Sequence, residues 1–311
     1  MINKYIDLQI NGYKGVDFSS ASLSHASCAH AFREIIKSQT VLFLPTIITN
    51  PIELLERNLN ILSDVASLPE FTNHVPGIHL EGPFFSDSEA IGAHNPKYVR
   101  KADINILKRL INASERKIRL ITVGADVPEI AKLIEFSCSE GIKVSLGHHM
   151  ANYEQIKLAA QAGASILTHL GNGIPNMVHR HNNPIWGALA VDELKLMIVA
   201  DGHHLPLEVI KVFIKIKGIK NTMVVSDAAP LAGLPPGKYK TLGNNVILRE
   251  DGKLFNPEKE CLVGSSATMA NCIDFLSRTG KFTEDELYKL GYSNQLGILN
   301  PEIAVESQLL S

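Results

Sequence analysis

The amino-acid sequence predicts an α/β fold, a (β/α)8 TIM barrel, from three observations. Short apolar runs rich in β-branched residues recur along most of the chain, capped amphipathic stretches follow them, and chemically competent side chains stand just beyond the runs.

The runs are Tyr5–Ile10, Val41–Ile48, Gly77–Leu80, Ile118–Val123, Ile142–Leu146, Ser165–Thr168, Lys195–Ala200 and Thr222–Ser226, about eight in all, the number that closes a parallel barrel. The helices between them carry start and stop signals. Asn50-Pro51-Ile52-Glu53 offers an N-cap, a proline at the first helical position and a capping-box glutamate. Asn152 with Gln155 forms a similar box, with Gly163 placed to end that helix. Thr283 with Glu286 makes another, and Phe282 and Leu287 are spaced as a hydrophobic staple. One segment breaks the rhythm. Residues 237–260 carry the turn signals Gly243-Asn244-Asn245 and Glu250-Asp251-Gly252 around Val246-Ile247-Leu248, and read as a hairpin excursion after the eighth strand. No composition shift marks a linker, so the expectation is one domain over residues 1–311.

Composition bounds the function. With 45% apolar and 20% charged residues and a formal net charge of −2, the chain has the make-up of a soluble globular protein and no basic excess for nucleic acid or an anionic membrane. The N-terminus lacks the apolar region of a signal peptide, and no apolar run approaches the ~20 residues that span a bilayer, so the expected location is cytoplasmic. Cys28, Cys138, Cys261 and Cys272 form no CxxC pair and are expected to be reduced and buried.

Parallel strands deliver the residues that follow them to one rim. Those residues are Gln9 and Asn11 after the first run, Glu81 after the third, His148 after the fifth, His169 after the sixth, Asp201, His203 and His204 after the seventh, and Asp227 after the eighth. Singly, a histidine past a strand is a capped loop residue, Glu81 a salt-bridge partner and Asp227 a helix cap. Together, histidines and carboxylates from different strands are what a catalytic divalent-metal site needs, with an open position for water. His25, His30 and His74 lie away from that rim and read as structural. Gly171-Asn172-Gly173 is compatible with either a tight turn or a phosphate cradle.

These segments resemble the N-acetylglucosamine-6-phosphate deacetylase family of the amidohydrolase superfamily. The resemblance is carried, in order, by Ile6-Asp7-Leu8-Gln9-Ile10-Asn11-Gly12, Gly15-Val16-Asp17-Phe18, His79-Leu80-Glu81-Gly82-Pro83-Phe84, Ala93-His94-Asn95-Pro96, Leu146-Gly147-His148, His169-Leu170-Gly171-Asn172, Ala200-Asp201-Gly202-His203-His204, Val225-Ser226-Asp227-Ala228 and Gly264-Ser265-Ser266-Ala267-Thr268-Met269. It implies that Glu81, His148 and His169 hold one divalent ion, with zinc favoured over iron, manganese or cobalt. Gln9-x-Asn11 stands where the superfamily has His-x-His, and is at most a weak second-metal site. The resemblance further implies acyl hydrolysis of an acetylated amino sugar. Asp227 takes a proton from the attacking water and returns it to the departing amine, and His94 helps polarise the carbonyl. Asn172, Gly173 and His204 would bind the far end of the substrate, with Arg180 supplied by the neighbouring subunit of a homodimer. Departures are Gly171 and Gly173, where the family has an aromatic and an alanine, and the run His179-Arg180-His181-Asn182-Asn183-Pro184. The chain begins four residues before its first predicted strand and stops soon after Gly297-Ile298-Leu299-Asn300-Pro301, so most or all of the family's small β-sandwich is expected to be missing. Two other readings stand beside the deacetylase: an amidohydrolase for a different amide, such as an unphosphorylated acetylated sugar or an N-acyl amino acid, and a sugar-binding protein without turnover.

Overall fold

A computed structural model describes residues 4–86, 88–241, 244–258 and 261–299. In chain order the strands are β1 (Tyr5–Ile10), β2 (Gly12–Tyr13), β3 (Val16–Asp17), β4 (Thr40–Ile48), β5 (Ile78–Glu81), β6 (Ile118–Val123), β7 (Lys143–Leu146), β8 (Ile166–Leu167), β9 (Lys195–Val199), β10 (Thr222–Val225), β11 (Gly237–Thr241), β12 (Asn244–Leu248), β13 (Leu254–Asn256) and β14 (Cys261–Leu262). Eight of them pair in the order β1-β4-β5-β6-β7-β8-β9-β10. Every pairing in that sheet is parallel. Each expected run falls on one of these strands, displaced by no more than a residue or so at its ends.

Helices α1 (His25–Lys37), α2 (Ile52–Ala66), α3 (Ile104–Ala113), α4 (Ile130–Ser139), α5 (Tyr153–Gln161), α6 (Pro184–Leu189) and α7 (Leu207–Lys217) connect successive barrel strands. After the antiparallel excursion come α8 (Met269–Arg278), α9 (Glu284–Tyr288) and α10 (Asn294–Leu296). The Asn152–Gln155 and Thr283–Glu286 capping boxes both form. The Asn50 cap does not: Pro51 is the N-cap and makes no side-chain bond, while the Asn50 amide donates to the carbonyls of Ser19 and Ile48. A tertiary partner outcompetes the local cap. Cys138 also departs from expectation, because it lies exposed on α4 whereas Cys28 and Cys272 are buried.

Strand parity sorts the core into two layers. Ile6, Leu8, Leu42, Leu44, Leu120, Met197, Val199, Met223 and Val225 form one cluster inside the barrel, whereas Phe43, Ile121, Ile198 and Val224 belong to the cluster that packs beneath the helices. Ile298 and Leu299 join the inner cluster, and Asn294 donates to the carbonyls of Ile219 and Thr222, so the C-terminal segment seals the N-terminal end of the barrel. Two residues further along the same parity, the inward positions turn polar: Thr46, His79, Thr122 and Ser145 are all fully buried. The strands therefore run from an apolar plug toward a polar mouth.

The seam between β1 and β10 is held by side chains as much as by backbone. Ile10 and Ala228 form a single bridge, and the Asn11 backbone N–H donates to the Ala228 carbonyl. Buried Asp7 accepts from the backbone N–H groups of Gln9 and Ser226, the Ser226 hydroxyl donates to the Gln9 carbonyl, and the Gln295 amide donates to the Val224 carbonyl. A register shift between Asp7 and Ile10 breaks the β1 alternation, and the Gln9 side chain reaches into the mouth.

The excursion is larger than the hairpin read from the sequence. It is a four-stranded antiparallel sheet, β11-β12-β13-β14, with its own apolar cluster of Val246, Leu248, Leu254, Val263, Ala229 and Leu231. Gly243 of the first turn signal, and residues 259–260 at the excursion's expected end, lie outside the described residues. No described helix is long and apolar enough to cross a membrane.

Candidate active site

Three residues that end the polar side of the barrel share an unusual backbone. His148, His169 and Asp227 have φ values of 53°, 26° and 49°. For side chains with a Cβ this left-handed region is strained by roughly 1–3 kcal/mol each, and such strain persists where surrounding contacts over-determine it. Each of the three sits two residues past the end of its strand, where the turn out of the sheet places its side chain in the mouth.

Glu81 is the hub. Its Oε1 lies 3.2 Å from Nε2 of His148 and 3.1 Å from Nε2 of His169, and it accepts from the Gln9 amide at 2.9 Å. The ligand atoms of Glu81, His148 and His169 all lie within 4.8 Å of one another and all three residues are buried. Burial opposes the charge on Glu81, but the hydrogen bonds from His148 and His169 outweigh it and hold the carboxyl well below its ordinary range. Burial likewise works against a charged His169, and the Glu81 contact overcomes it, leaving this imidazole more basic than usual.

Around the hub stand the proton-transfer candidates. Asp227 Oδ1 accepts from Asn11 at 2.7 Å and from Gln9 at 3.2 Å, so one glutamine amide ties the Glu81 and Asp227 carboxylates together. Burial pushes Asp227 above the usual carboxylate range despite the nearby His169, with the Glu81 charge acting in the same direction as burial. His94 Nε2 is 4.0 Å from Glu81 Oε2, and its Nδ1 meets the Thr49 hydroxyl at 2.9 Å. Burial, reinforced by repulsion from His148, pushes His94 down to about 3, so the ring is neutral. The Thr49 hydroxyl can donate to Nδ1, and in that tautomer the ring proton sits on Nε2. Phe85 packs edge-on against His94, ring centroids 4.8 Å apart, and walls the pair from solvent.

The donor set fits a divalent ion. His148 Nδ1 lies 3.0 Å from the Ala90 carbonyl, which takes a proton on that side, so an ion replacing the Glu81 contact would find Nε2 available as a ligand atom. Two imidazole nitrogens and a carboxylate oxygen from three rigid strand ends make the N/O set of a catalytic site with an open position. Gln9 and Asn11 direct their amide nitrogens at carboxylates, while Gln9 Oε1 and Asn11 Oδ1 are buried without a partner among the described residues.

The cleft above, about 710 Å3, is lined by Asn172, Gly173 and His204 as well as by Asn11, Glu81, His94, His148, His169 and Asp227. Asn172 curls back on itself, its backbone and side-chain N–H groups both donating to the His169 carbonyl. Gly173, at φ +62°, packs against His148 so closely that a Cβ there would fall 2.6 Å from Nδ1. His204 enters from beyond β9 with its Nδ1 on Asp201. Arg180 is exposed and outside the cleft of its own chain, its carbonyl accepting from the Trp186 indole. His203 bonds the Asp251 carbonyl of the excursion. His25 and His74 make an ion pair with Asp64 and a bond to the Val41 carbonyl, remote from the cleft.

Sequence reasoning passed over Thr49, although it stands just past β4 where the strand-end rule that singled out Glu81 would have found it. Leu262 and Gly264, at the return of the excursion, also line the cleft; Leu262 carried no local signal, and Gly264 stood out only as the start of a segment that carries the resemblance.

A parallel barrel with two histidines, a glutamate and an aspartate converging at its polar mouth is a hydrolase barrel of the metal-dependent amidohydrolase class. No family model matches the chain. It is 30% identical over 291 residues to the N-acetylglucosamine-6-phosphate deacetylase of Lysinibacillus sphaericus, covering 93% of this chain and 74% of that one. To the enzyme of the same name from Danio rerio it is 32% identical over 278 residues, 86% of this chain and 68% of that one. The crystal structure of N-acetylglucosamine-6-phosphate deacetylase from Pasteurella multocida superposes with a TM-score of 0.82 at 30% identity, covering 92% of this chain and 73% of that one. The chain belongs to the N-acetylglucosamine-6-phosphate deacetylase family.

Proposed function

We propose that the chain is a deacetylase that hydrolyses the acetamide of N-acetylglucosamine 6-phosphate to the amino sugar and acetate. The observation that carries this reading is the Gln9 amide bridge, which sets a proton-transfer carboxylate, Asp227, beside the Glu81–His148–His169 cluster in one cleft. Glu81, His148 and His169 would hold one divalent ion, zinc by preference, though the same donors accept iron, manganese or cobalt. Bound there, the ion would supply Lewis acidity for the acetamide carbonyl and for the attacking water.

The remaining work falls to the chain's own side chains. Asp227 takes the proton of the attacking water as its oxygen bonds to the carbonyl carbon. Asp227 then returns that proton to the nitrogen as the C–N bond breaks, so that the amine leaves neutral. His94 donates its Nε2–H to the developing oxyanion. Gln9 and Asn11 orient the two carboxylates, which is a fuller role for their amide nitrogens than a second ion site.

At the far end, Asn172, Gly173 and His204 would receive the sugar and its phosphate, completed by Arg180 of a second copy. Two features favour a homodimer through this face: Arg180 is exposed and does not line its own cleft, and its neighbours Met177 and Trp186 are 88% and 52% exposed, large for apolar side chains. A guanidinium suits a phosphate because two N–H groups can bind it at once.

The reading is tested by measuring acetate release from phosphorylated and unphosphorylated N-acetyl hexosamines of both gluco and galacto configuration. Release that is fastest from N-acetylglucosamine 6-phosphate is expected. Faster turnover of an unphosphorylated acetamide would move the function to a different amide, and no release from any of them would remove the deacetylase reading.

A further inference from the structure

Outside the proton-transfer centre, one carboxylate has every acceptor position taken. Asp201 stands just past β9. Its Oδ1 accepts from the backbone N–H groups of His203 at 2.8 Å and His204 at 2.9 Å. Its Oδ2 accepts from the Ser265 hydroxyl at 2.7 Å and meets Nδ1 of His204 at 2.8 Å. The side chains of His204 and Asp201 are only 6% and 3% exposed, so water does not compete for these bonds. Ser265 is itself fixed from the other side. Its N–H donates to the Asp227 carbonyl, and its carbonyl accepts from the Ala229 amide. One serine therefore joins the backbone of the proton-transfer aspartate to the carboxylate that grips His204.

We propose that Asp201, anchored by Ser265, is a positioning residue that keeps a proton on Nδ1 of His204 and thereby fixes the orientation and hydrogen-bonding character of the Nε2 that faces the cleft. A carboxylate with no proton can only accept, so whatever bonds it through Nδ1 must be an N–H. Although burial opposes its charge, the His204 and Ser265 contacts hold Asp201 well below the ordinary carboxylate range, in agreement with an acceptor-only role. The inference rests on the deacetylase reading for its kinetic consequence and not for its structural one.

The isosteric variant Asp201→Asn separates the two. Oδ1 faces two backbone N–H groups that cannot change their protonation, so the amide oxygen of the variant must take that place. The new NH2 then points at Ser265 and at His204 Nδ1, which must give up its proton to accept. The His204 ring is reversed in tautomer without a change in side-chain volume, a change a merely space-filling residue would not cause.

Ring nitrogen NMR on the zinc-loaded full chain labelled with nitrogen-15 histidine, with His204 assigned through His204→Gln, reads this directly. In the unmodified chain Nδ1 is expected protonated, and in Asp201→Asn unprotonated. The KM for the best hydrolysed acetyl hexosamine is expected to rise ~10-fold or more while kcat stays within roughly 3-fold, because the lost contact acts on binding rather than on the reacting atoms. Should Asp201→Asn fold poorly, Ser265→Ala removes one anchor and is expected to raise KM in the same direction by a smaller factor. An Nδ1 that stays protonated in Asp201→Asn overturns the proposal. So does a fall in kcat with KM unchanged in either variant. If no hexosamine is hydrolysed at all, the deacetylase reading fails and the NMR result still decides the tautomer.

Discussion

The floor of the cleft and its outer rim are built on different principles. On the floor, Glu81, His148, His169, His94 and Asp227 come from barrel strands or the loops that follow them, and each is bonded to another of the group or to a fixed partner such as Ala90 or Thr49. On the rim, the 171–183 segment makes turns upon itself, and its Met177 and Arg180, like Trp186 on the following α6, are exposed. A chemical step tolerates little misplacement, so it sits where strands impose geometry. In the proposed function, substrate selection would fall to this loop, completed by a second copy of the chain.

The sharpest break in this comparison is at Asp227. Asp227→Asn keeps the acceptor for Gln9 and Asn11 but cannot shuttle a proton, and acetate release is expected to fall by about 10^2–10^4-fold with metal content unchanged. Loss of metal along with activity would show instead that Asp227 holds the ion in place.

Gly173 is where rim touches floor. Gly173→Ala inserts a Cβ at 2.6 Å from the His148 ring, in a backbone conformation that already disfavours a side chain. Metal affinity is expected to drop ~10–100-fold, the cost of disturbing a ligand's orientation. Titration with a competing chelator measures it, and an unchanged affinity would mean the loop moves independently of His148.

Smaller still is Arg180→Ala. It is expected to raise KM about 10-fold for a phosphorylated hexosamine and leave kcat and the unphosphorylated substrate unaltered. An equal effect on both substrates would place Arg180 outside phosphate recognition.

The smallest effect concerns the seam behind the floor. Burial raises Asp7 from 3.8 to about 7, its hydrogen bonds from Ser226 and Gln9 only partly opposing this. A folded pKa above the unfolded one means that the stability associated with protonated Asp7 is fully present below about pH 4 and is lost as pH rises through about 7. Asp7→Asn removes that dependence. Its melting temperature relative to the unmodified chain is expected to climb across this window, and a constant difference would show that Asp7 does not titrate there.

The barrel was legible because its signals are local and redundant: runs such as Ile118–Val123 are short, apolar and rich in β-branched residues, and caps such as Thr283 with Glu286 need four residues in a row. Local rules fail where a distant group competes. Asn50 has the composition of a cap, yet Ser19 claims its amide. Turn signals at Asp251-Gly252 announce a reversal but not how many strands follow, and the excursion grew from two strands to four. In the cleft, strand-end positions named Glu81, His148, His169 and Asp227, because barrel topology alone carries those residues to one rim. The Asp201–Ser265 bond spans 64 residues and the folded return of the excursion, so no spacing rule reveals it.

The most direct test is acetate release from N-acetylglucosamine 6-phosphate by the full chain before chelation, after chelation and after readdition of zinc, with metal per chain measured alongside. A deacetylase centred on Glu81, His148 and His169 releases acetate in step with about one ion per chain, falls silent when stripped and recovers on reloading. Acetate release that persists in the stripped chain, or a metal-loaded chain that releases none, contradicts it.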